Sequence, residues 1–114
     1  MTEPMEVPEV EVDELKLRLQ HGATLLDVRE PEEIEMARVP GGICIPLQSI
    51  PERLNEIPKG DTLYVICAVG GRSWTAAEFL RSHNIDAVNV AGGTNAWVAA
   101  EFPTESGPLD GGAS

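Results

Sequence analysis

Cys67 stands where a cysteine can act as a nucleophile. It directly follows Leu63–Ile66, a short apolar run with β-branched and aromatic residues, which predicts a buried strand. The apolar residues of the segment 73–84 fall on one face of a helix, which predicts a helix there. The sequence therefore puts Cys67 at the carboxyl end of a strand and just before a helix, the edge at which open α/β sheets bind ligands.

The loop between this strand and this helix has the means to stabilise a thiolate. Backbone N–H groups of the loop and of the first helical turn have no intrahelical acceptor, and the positive end of the helix dipole lies beside them. Both effects lower the pKa of a thiol. We expect Gly70 and Gly71 to take positive φ and to turn these N–H groups inward. A buried structural cysteine is the alternative, but two glycines, an arginine and a helix start after Cys67 favour the nucleophile.

The second cysteine, Cys44, lacks these surroundings. It lies between two isoleucines, with no glycine loop or helix start after it, so we interpret it as a structural residue. Two cysteines do not make a disulfide framework. With no CxxC motif and only His21 and His83, both expected at the surface, the ligands for a zinc site are too few. We predict neither a metal nor a cofactor.

The charge of the chain limits its partners. The formal net charge is −11, and residues 1–35 hold eleven acids against three bases. Such a surface argues against binding to nucleic acid or to anionic membrane, and a small anionic substrate would depend on local donors. The sequence shows no secretory signal and no apolar run of membrane-spanning length. We therefore expect a reducing, cytoplasmic setting. We also expect the protein to be a monomer.

Strands and helices alternate along the 114 residues, which predicts one α/β domain with a parallel sheet and helices on both faces. We expect residues 1–9 to form a flexible acidic lead, residues 10–102 the domain, and the Gly-, Ser- and Pro-rich residues 103–114 a disordered tail. The predicted strands are 10–12, 24–28, 43–47, 63–66 and 86–90, and the predicted helices are 12–20, 31–37, 49–57, 73–84 and 95–100.

Other residues fall at the same edge of the predicted sheet. Asp27 and Arg29 flank a strand end and are candidates for supporting the loop, although an ion pair that braces neighbouring segments is the favoured interpretation. Ala91-Gly92-Gly93 predicts a tight turn without bulky side chains at this edge. We expect Thr94 to cap the following helix and Trp97 to anchor that helix in the core.

Four motifs in this order resemble the rhodanese domain of single-domain thiosulfate sulfurtransferases. They are Leu25-Leu26-Asp27-Val28-Arg29-Glu30-Pro31-Glu32-Glu33, Val39-Pro40-Gly41-Gly42, Cys67-Ala68-Val69-Gly70-Gly71-Arg72-Ser73 and Ala91-Gly92-Gly93-Thr94-Asn95-Ala96-Trp97. The resemblance covers residues 10–102 and implies a three-layer α/β fold, with a five-stranded parallel sheet flanked by helices. Arg38 and Gly42 depart from the usual family pattern, and we interpret both as loop variation.

The resemblance also implies a function. Cys67 would carry a persulfide, held by backbone N–H groups in the binding loop of Ala68, Val69, Gly70, Gly71, Arg72 and Ser73. Sulfane sulfur would pass from a small anionic donor such as thiosulfate to a thiol or to cyanide. Arg72 would either bind donor oxygens or hold the loop in shape, and the alternative is a surface arginine that braces a loop carbonyl or an acid. The alternative is a sulfur carrier that works only with a partner protein; an inactive scaffold is disfavoured because Cys67 is present.

Overall fold

A five-stranded parallel sheet forms the centre of the molecule in the computed structural model, which describes residues 6–109. The spatial order of the strands is β1-β5-β4-β2-β3, and every neighbouring pair is parallel. This confirms the predicted sheet, with strands somewhat shorter than expected. The strands are β1 (Glu9–Val10), β2 (Thr24–Asp27), β3 (Ile43–Cys44), β4 (Leu63–Ile66) and β5 (Ala87–Val90).

Residues 6–109 contain four α-helices, of which three lie between strands and the fourth follows β5. They are α1 (Val12–Gln20), α2 (Pro31–Met36), α3 (Gly71–Arg81) and α4 (Gly93–Ala99). The short helix expected over 49–57 is present as two 3₁₀ turns, Leu47–Ser49 and Pro51–Glu56. Burial of Ile50 and Ile57 in the core sets the path of these short turns. Within residues 6–109, no helix is long and apolar enough to cross a membrane.

The sheet is buried on both faces. Alternate side chains of a strand point to opposite faces, so Val65 of β4 packs with α3 and the 3₁₀ turns, while Ile66 packs with α1 and α4. All four residues of β4 and of β5 are buried. Coverage on both sides accounts for the nearly continuous apolar strands of the sequence and confirms the three-layer arrangement.

The segments next to both chain ends contact the domain. The N–H of Asn89 donates to the carbonyl oxygen of Pro8 at 2.8 Å, and Glu9 belongs to β1. The part of the expected flexible lead from Pro8 onward therefore completes the edge of the sheet. Residues 1–5 of that lead lie outside the described residues.

The segment after Phe102 is bound to the domain through backbone groups. The indole Nε1 of Trp97 donates to the carbonyl oxygen of Pro103 at 2.7 Å, and Arg38 and Glu105 form an antiparallel bridge. The prediction of a disordered tail is therefore wrong for residues 103–107, because composition reports few apolar side chains but not the backbone bonds that this segment makes. Residues 110–114 lie outside the described part of the chain.

Candidate active site

Cys67 lies at the carboxyl edge of the sheet, directly after β4 and at the start of the loop that leads into α3. The residue is buried, with 1% of its surface exposed. The turn before α4 meets the loop at the same edge, because the carboxyl ends of parallel strands lie side by side. The expected position of Cys67 at a strand end before a helix is thus found in the structure.

Hydrogen bonds converge on the Cys67 sulfur. The Gly70 N–H lies 3.1 Å from Sγ and the Ser73 hydroxyl oxygen 3.3 Å from it. Burial raises the pKa of the Cys67 thiol, but hydrogen bonds from the Ser73 hydroxyl and from the N–H groups of Ser73, Gly70 and Val69 outweigh burial and leave that pKa lowered. The loop therefore favours the thiolate, the reactive form of a cysteine.

One glycine, not two, supplies the left-handed turn of the loop. Gly70 has φ +117° and precedes the first residue of α3. The prediction of positive φ at Gly71 is wrong, because Gly71 already belongs to the first turn of α3. A single left-handed residue is sufficient to turn the chain from the loop into the helix.

The amino end of α4 fixes the orientation of the loop peptides. The Thr94 N–H donates to the carbonyl oxygen of Cys67 at 2.8 Å, and the Asn95 N–H donates to that of Ala68 at 3.0 Å. Because the C=O and N–H of a trans peptide point in opposite directions, these bonds turn the N–H groups of Ala68 and Val69 away from α4 and toward the interior of the loop. The helix thus orients the donors of the loop.

Gly93 makes this close approach between the helix and the loop feasible. A Cβ atom on Gly93 would lie 2.4 Å from the carbonyl oxygen of Cys67. The prediction that Thr94 caps α4 is wrong, because the helix begins at Gly93 after a left-handed Gly92, and the buried Thr94 hydroxyl has no hydrogen-bond partner among the described residues. Trp97 is 3% exposed, which confirms its core position.

A buried polar chain leads from the sulfur to the edge strand. The Ser73 hydroxyl, which contacts the Cys67 sulfur, also lies 2.5 Å from Oδ1 of Asn89. Nδ2 of Asn89 donates to Oε2 of Glu9 at 2.7 Å and to the carbonyl oxygen of Gly70 at 3.2 Å. Sequence reasoning missed Asn89, although a lone amide inside an apolar strand was a usable signal, since buried polar groups need partners.

Arg72 contacts a carboxylate that the sequence analysis did not single out. Its Nη1 and Nη2 atoms each lie 2.8 Å from an oxygen of Glu33 in α2, which makes a two-pronged ion pair. The Arg72 guanidinium lowers the pKa of the Glu33 carboxyl to about 2. This contact matches the alternative in which Arg72 braces an acid, while binding of donor oxygens by Arg72 stays a prediction.

Asp27 and Arg29 form a buried ion pair with each other. Arg29 Nη2 lies 2.9 Å from Oδ2 of Asp27 and 2.9 Å from the carbonyl oxygen of Ala37, just past α2. The favoured interpretation as an ion pair matches this geometry. The pair contacts the end of α2, the helix that carries Glu33, so its support for the Cys67 loop is indirect.

Cys44 and Cys67 are separated by the sheet itself. Asp27 of β2 is paired with Cys44 on one side and with Ile66 on the other, so Cys67, one residue later, points to the opposite face from Cys44. Two strand spacings amount to ~10 Å, beyond the reach of a disulfide. Burial and the Asp27 charge raise the pKa of the Cys44 thiol. Residues 6–109 hold no cluster of three or more His, Cys, Asp or Glu side chains suited to a metal ion.

Comparisons with known proteins agree with this architecture. The chain is 40% identical to a structure titled as a rhodanese-like domain protein from Staphylococcus aureus, with a TM-score of 0.76 over 80% of this chain and 91% of that one. It is 30% identical over 107 residues to the "Thiosulfate sulfurtransferase GlpE" of Pseudomonas syringae, covering 93% of this chain and 97% of the relative.

A third relative has another name and a greater length. The "Putative sulfur carrier protein YrkF" of Bacillus subtilis is 37% identical over 94 residues, which are 80% of this chain and 51% of the relative. The chain thus spans about half the length of that relative. The model of the rhodanese-like domain family matches residues 11–100. With a parallel sheet, a cysteine loop at its carboxyl edge and sulfurtransferases among its relatives, the chain belongs to the rhodanese-like domain family.

Proposed function

We propose that the protein moves a sulfane sulfur from thiosulfate or a similar donor to a thiol or cyanide acceptor through a persulfide on Cys67. The observation that carries this proposal is the set of hydrogen-bond donors around one buried sulfur: the Gly70 N–H at 3.1 Å and the Ser73 hydroxyl at 3.3 Å. These donors favour a thiolate without a general base. Cys67 is the proposed nucleophile, and residues 68–73 are the proposed substrate loop.

In the first step, the Cys67 thiolate attacks the outer sulfur of the donor. A new S–S bond forms at Cys67 while the S–S bond of thiosulfate breaks, and its electron pair leaves on sulfite. The outer sulfur of the persulfide then carries the negative charge. The N–H groups of Gly71 and Arg72, in the first turn of α3, have no intrahelical acceptor and are suited to hold it.

In the second step, an external thiolate attacks the outer sulfur of the persulfide. The S–S bond to Cys67 breaks, its electron pair returns to Cys67, and the acceptor leaves as a persulfide. Cys44 is a poor acceptor, since it faces the other side of the sheet. The acceptor is therefore a separate molecule, and a reducing compartment such as the cytoplasm supplies thiols of this kind.

A sulfur carrier that works only with a partner protein is the second candidate. The ion pair between Arg72 and Glu33 favours it, because it leaves the loop without an unpaired cationic side chain for a small dianion. The name of the 37% identical relative from Bacillus subtilis supports the same reading. A carrier would take sulfur from a partner's persulfide and would turn over free thiosulfate poorly.

Mass spectrometry of the intact protein and of its peptides tests the persulfide. We expect one added sulfur on Cys67 after incubation with a sulfane donor, and its loss on addition of a thiol. Turnover with free thiosulfate alone supports the enzyme, whereas loading only from a protein persulfide supports the carrier.

Two matched variants complete the test. Cys67→Ser is expected to abolish the adduct and the transfer while the protein stays folded. Cys44→Ser is expected to leave turnover within about twofold of wild type, because Cys44 faces the other side of the sheet and burial raises the pKa of its thiol. Transfer that persists in Cys67→Ser would refute the assigned nucleophile.

A further inference from the structure

We propose that Glu33 determines donor specificity: by holding Arg72, it keeps the loop electrically neutral and favours sulfane donors with one negative charge or none, such as organic persulfides, over dianions such as thiosulfate. This inference rests on the proposed persulfide chemistry of Cys67. It concerns which donors the loop accepts, and it assigns a role to a residue that contacts no substrate.

The ion pair uses both terminal nitrogens of Arg72 and both carboxylate oxygens of Glu33. Each terminal nitrogen of Arg72 lies 2.8 Å from a different oxygen of Glu33, the geometry that suits a guanidinium and a carboxylate best. Glu33 is fixed in turn by the N–H of Glu30, which donates to Oε2 at 3.0 Å. The Arg72 charge is therefore compensated before any donor arrives.

Arg72 nonetheless lies close enough to the reacting sulfur for their charges to interact. It lies in the first turn of α3 between Gly70 and Ser73, which both contact the Cys67 sulfur. The negative charges at Cys67 and Asp27 add to the effect of Glu33 in raising the pKa of the Arg72 guanidinium. Released from Glu33, the guanidinium would be a cation beside the loop with planar donors for sulfonate-type oxygens. The Glu33 carboxylate thus determines whether the positive charge of Arg72 is available to a donor.

No other described cation replaces Arg72 at this edge. The loop side chains of Ala68 and Val69 are uncharged, and each of the six arginines has a carboxylate within 4 Å. Lys16 lies over the ring of Phe102, and Lys59 precedes β4, at the opposite edge of the sheet. A donor therefore meets backbone N–H groups, a thiolate and a chain of net charge −11.

Each negative charge on the donor adds repulsion from the thiolate and from the acidic surface. A monoanion or a neutral persulfide avoids part of this cost, while its outer sulfur still reaches the same N–H groups. The attack is balanced in the same way as with thiosulfate: the bond to the outer sulfur breaks, and the electron pair leaves on the rest of the donor.

Two small donors make a matched pair of probes. Thiosulfate carries two negative charges and methanethiosulfonate carries one, and each gives its outer sulfur to Cys67 while sulfite or methanesulfinate leaves. The quantity to measure is the ratio of kcat/KM for thiosulfate to kcat/KM for methanethiosulfonate. A ratio within one variant cancels changes that affect both donors equally, such as a loss of active protein.

A charge-swap series then tests Glu33. We expect Glu33→Gln to raise the ratio about tenfold and Arg72→Gln to lower it severalfold, since the first frees a cation and the second frees an anion. In the double variant, the ratio is expected to return to within about twofold of the wild-type ratio. The two glutamines carry no charge, and the ion pair that they replace has no net charge. Glu32→Gln removes an exposed acid from the same helix and is expected to leave the ratio unchanged.

The outcomes distinguish this proposal from the proposed persulfide chemistry of Cys67 on which it rests. An equal ratio in Glu33→Gln and Glu32→Gln would refute the role of Glu33 while the persulfide chemistry stands. A double variant with a ratio as low as that of Arg72→Gln would mean that Arg72 binds the dianion directly, which also refutes it. If neither wild type nor any variant takes sulfur from either donor, transfer from small donors fails, and this proposal fails with it. If Glu33→Gln does not fold, Arg72→Gln and the double variant still decide the question.

Discussion

The hydroxyl of Ser73 has one proton and two neighbours that can receive it. Nδ2 of Asn89 donates to Glu9 and Gly70, so Oδ1 of Asn89 is the acceptor that faces Ser73. When Cys67 is a thiol, the proton satisfies Asn89, and the thiol can donate to the hydroxyl oxygen. When Cys67 is a thiolate, the same proton turns to the sulfur. The hydroxyl can therefore adapt to the charge of the Cys67 sulfur without any movement of the backbone.

Removing this hydroxyl is expected to raise the pKa of Cys67. Ser73→Ala deletes a hydrogen bond that lowers this pKa and leaves burial less opposed. Sulfur transfer at neutral pH should fall about three- to tenfold, the value of one hydrogen bond. The measurement is the rate of Cys67 alkylation by iodoacetamide as a function of pH.

Thr75→Ala is the control for this substitution. It removes an exposed hydroxyl from the same helix without touching the sulfur. An alkylation profile for Ser73→Ala that coincides with that of Thr75→Ala and of wild type would contradict the role of the Ser73 hydroxyl.

Sequence distance separates the residues of the site that could be predicted from those that could not. Cys67, Gly70 and Ser73 lie within one short stretch, so their order alone indicates a thiolate loop. Glu33 lies 39 positions from Arg72, and no local pattern pairs the two. The choice between donor binding and bracing at Arg72 therefore required the folded chain.

At the scale of elements, α4 serves as a support for the Cys67 loop. Two of its N–H groups, those of Thr94 and Asn95, bind loop carbonyl oxygens in place of a side-chain cap. The first free donors of a helix are usually satisfied by a cap or by water. In this fold they hold another segment, which couples the position of α4 to the shape of the loop.

Gly93→Ala is expected to disrupt this support. The added Cβ would lie 2.4 Å from the carbonyl oxygen of Cys67, so α4 and the loop must separate. We expect a loss of at least about 2 kcal/mol in the free energy of unfolding, together with loss of sulfur transfer. Urea denaturation measures the first quantity and a transfer assay the second.

Gly71→Ala is the matched control within the loop. A Cβ at Gly71 would meet no atom within 4 Å, and alanine favours the helix that Gly71 begins. We expect unchanged or slightly increased stability. Equal destabilisation by the two substitutions would contradict the close approach at Gly93.

Local patterns predicted most elements but not where each begins. The apolar runs gave β4 and α1 with the bounds that the structure has. At α4, the preference of threonine for a cap pointed to Thr94, yet the helix starts earlier. The left-handed Gly92 takes the cap position instead, and the Thr94 N–H, in the first turn, donates to the carbonyl oxygen of Cys67, distant in sequence. Tertiary bonds of this kind override local preference.

At the scale of the whole molecule, the ion pair between Glu33 and Arg72 connects stability to pH. The pKa of Glu33 is about 2 in the folded protein, against an ordinary value of 4.5. A lowered carboxyl pKa stabilises the folded state above the ordinary value, and this contribution is lost as pH falls from 4.5 toward 2. Because both side chains are about a third exposed, solvent limits the contribution to about 1 kcal/mol.

We therefore expect wild type to be more stable than Glu33→Gln at neutral pH and the difference to shrink as the pH falls below 4.5. Urea unfolding midpoints at several pH values between neutral and 3 provide the measurement. In Glu32→Gln, which loses an exposed carboxylate of the same helix, the difference from wild type should stay small throughout. A difference for Glu33→Gln that is constant with pH would contradict the ion pair.

The placement of the two cysteines on opposite faces of the sheet affects how long a transferred sulfur stays on the protein. On the proposed persulfide chemistry, a chain that has received a sulfur on Cys67 has no internal thiol in reach to remove it. The dwell time of the sulfur on Cys67 is then set by the frequency of encounters with an acceptor, and it grows longer as acceptors become scarce. The protein would behave as a reservoir whose emptying is controlled entirely from outside.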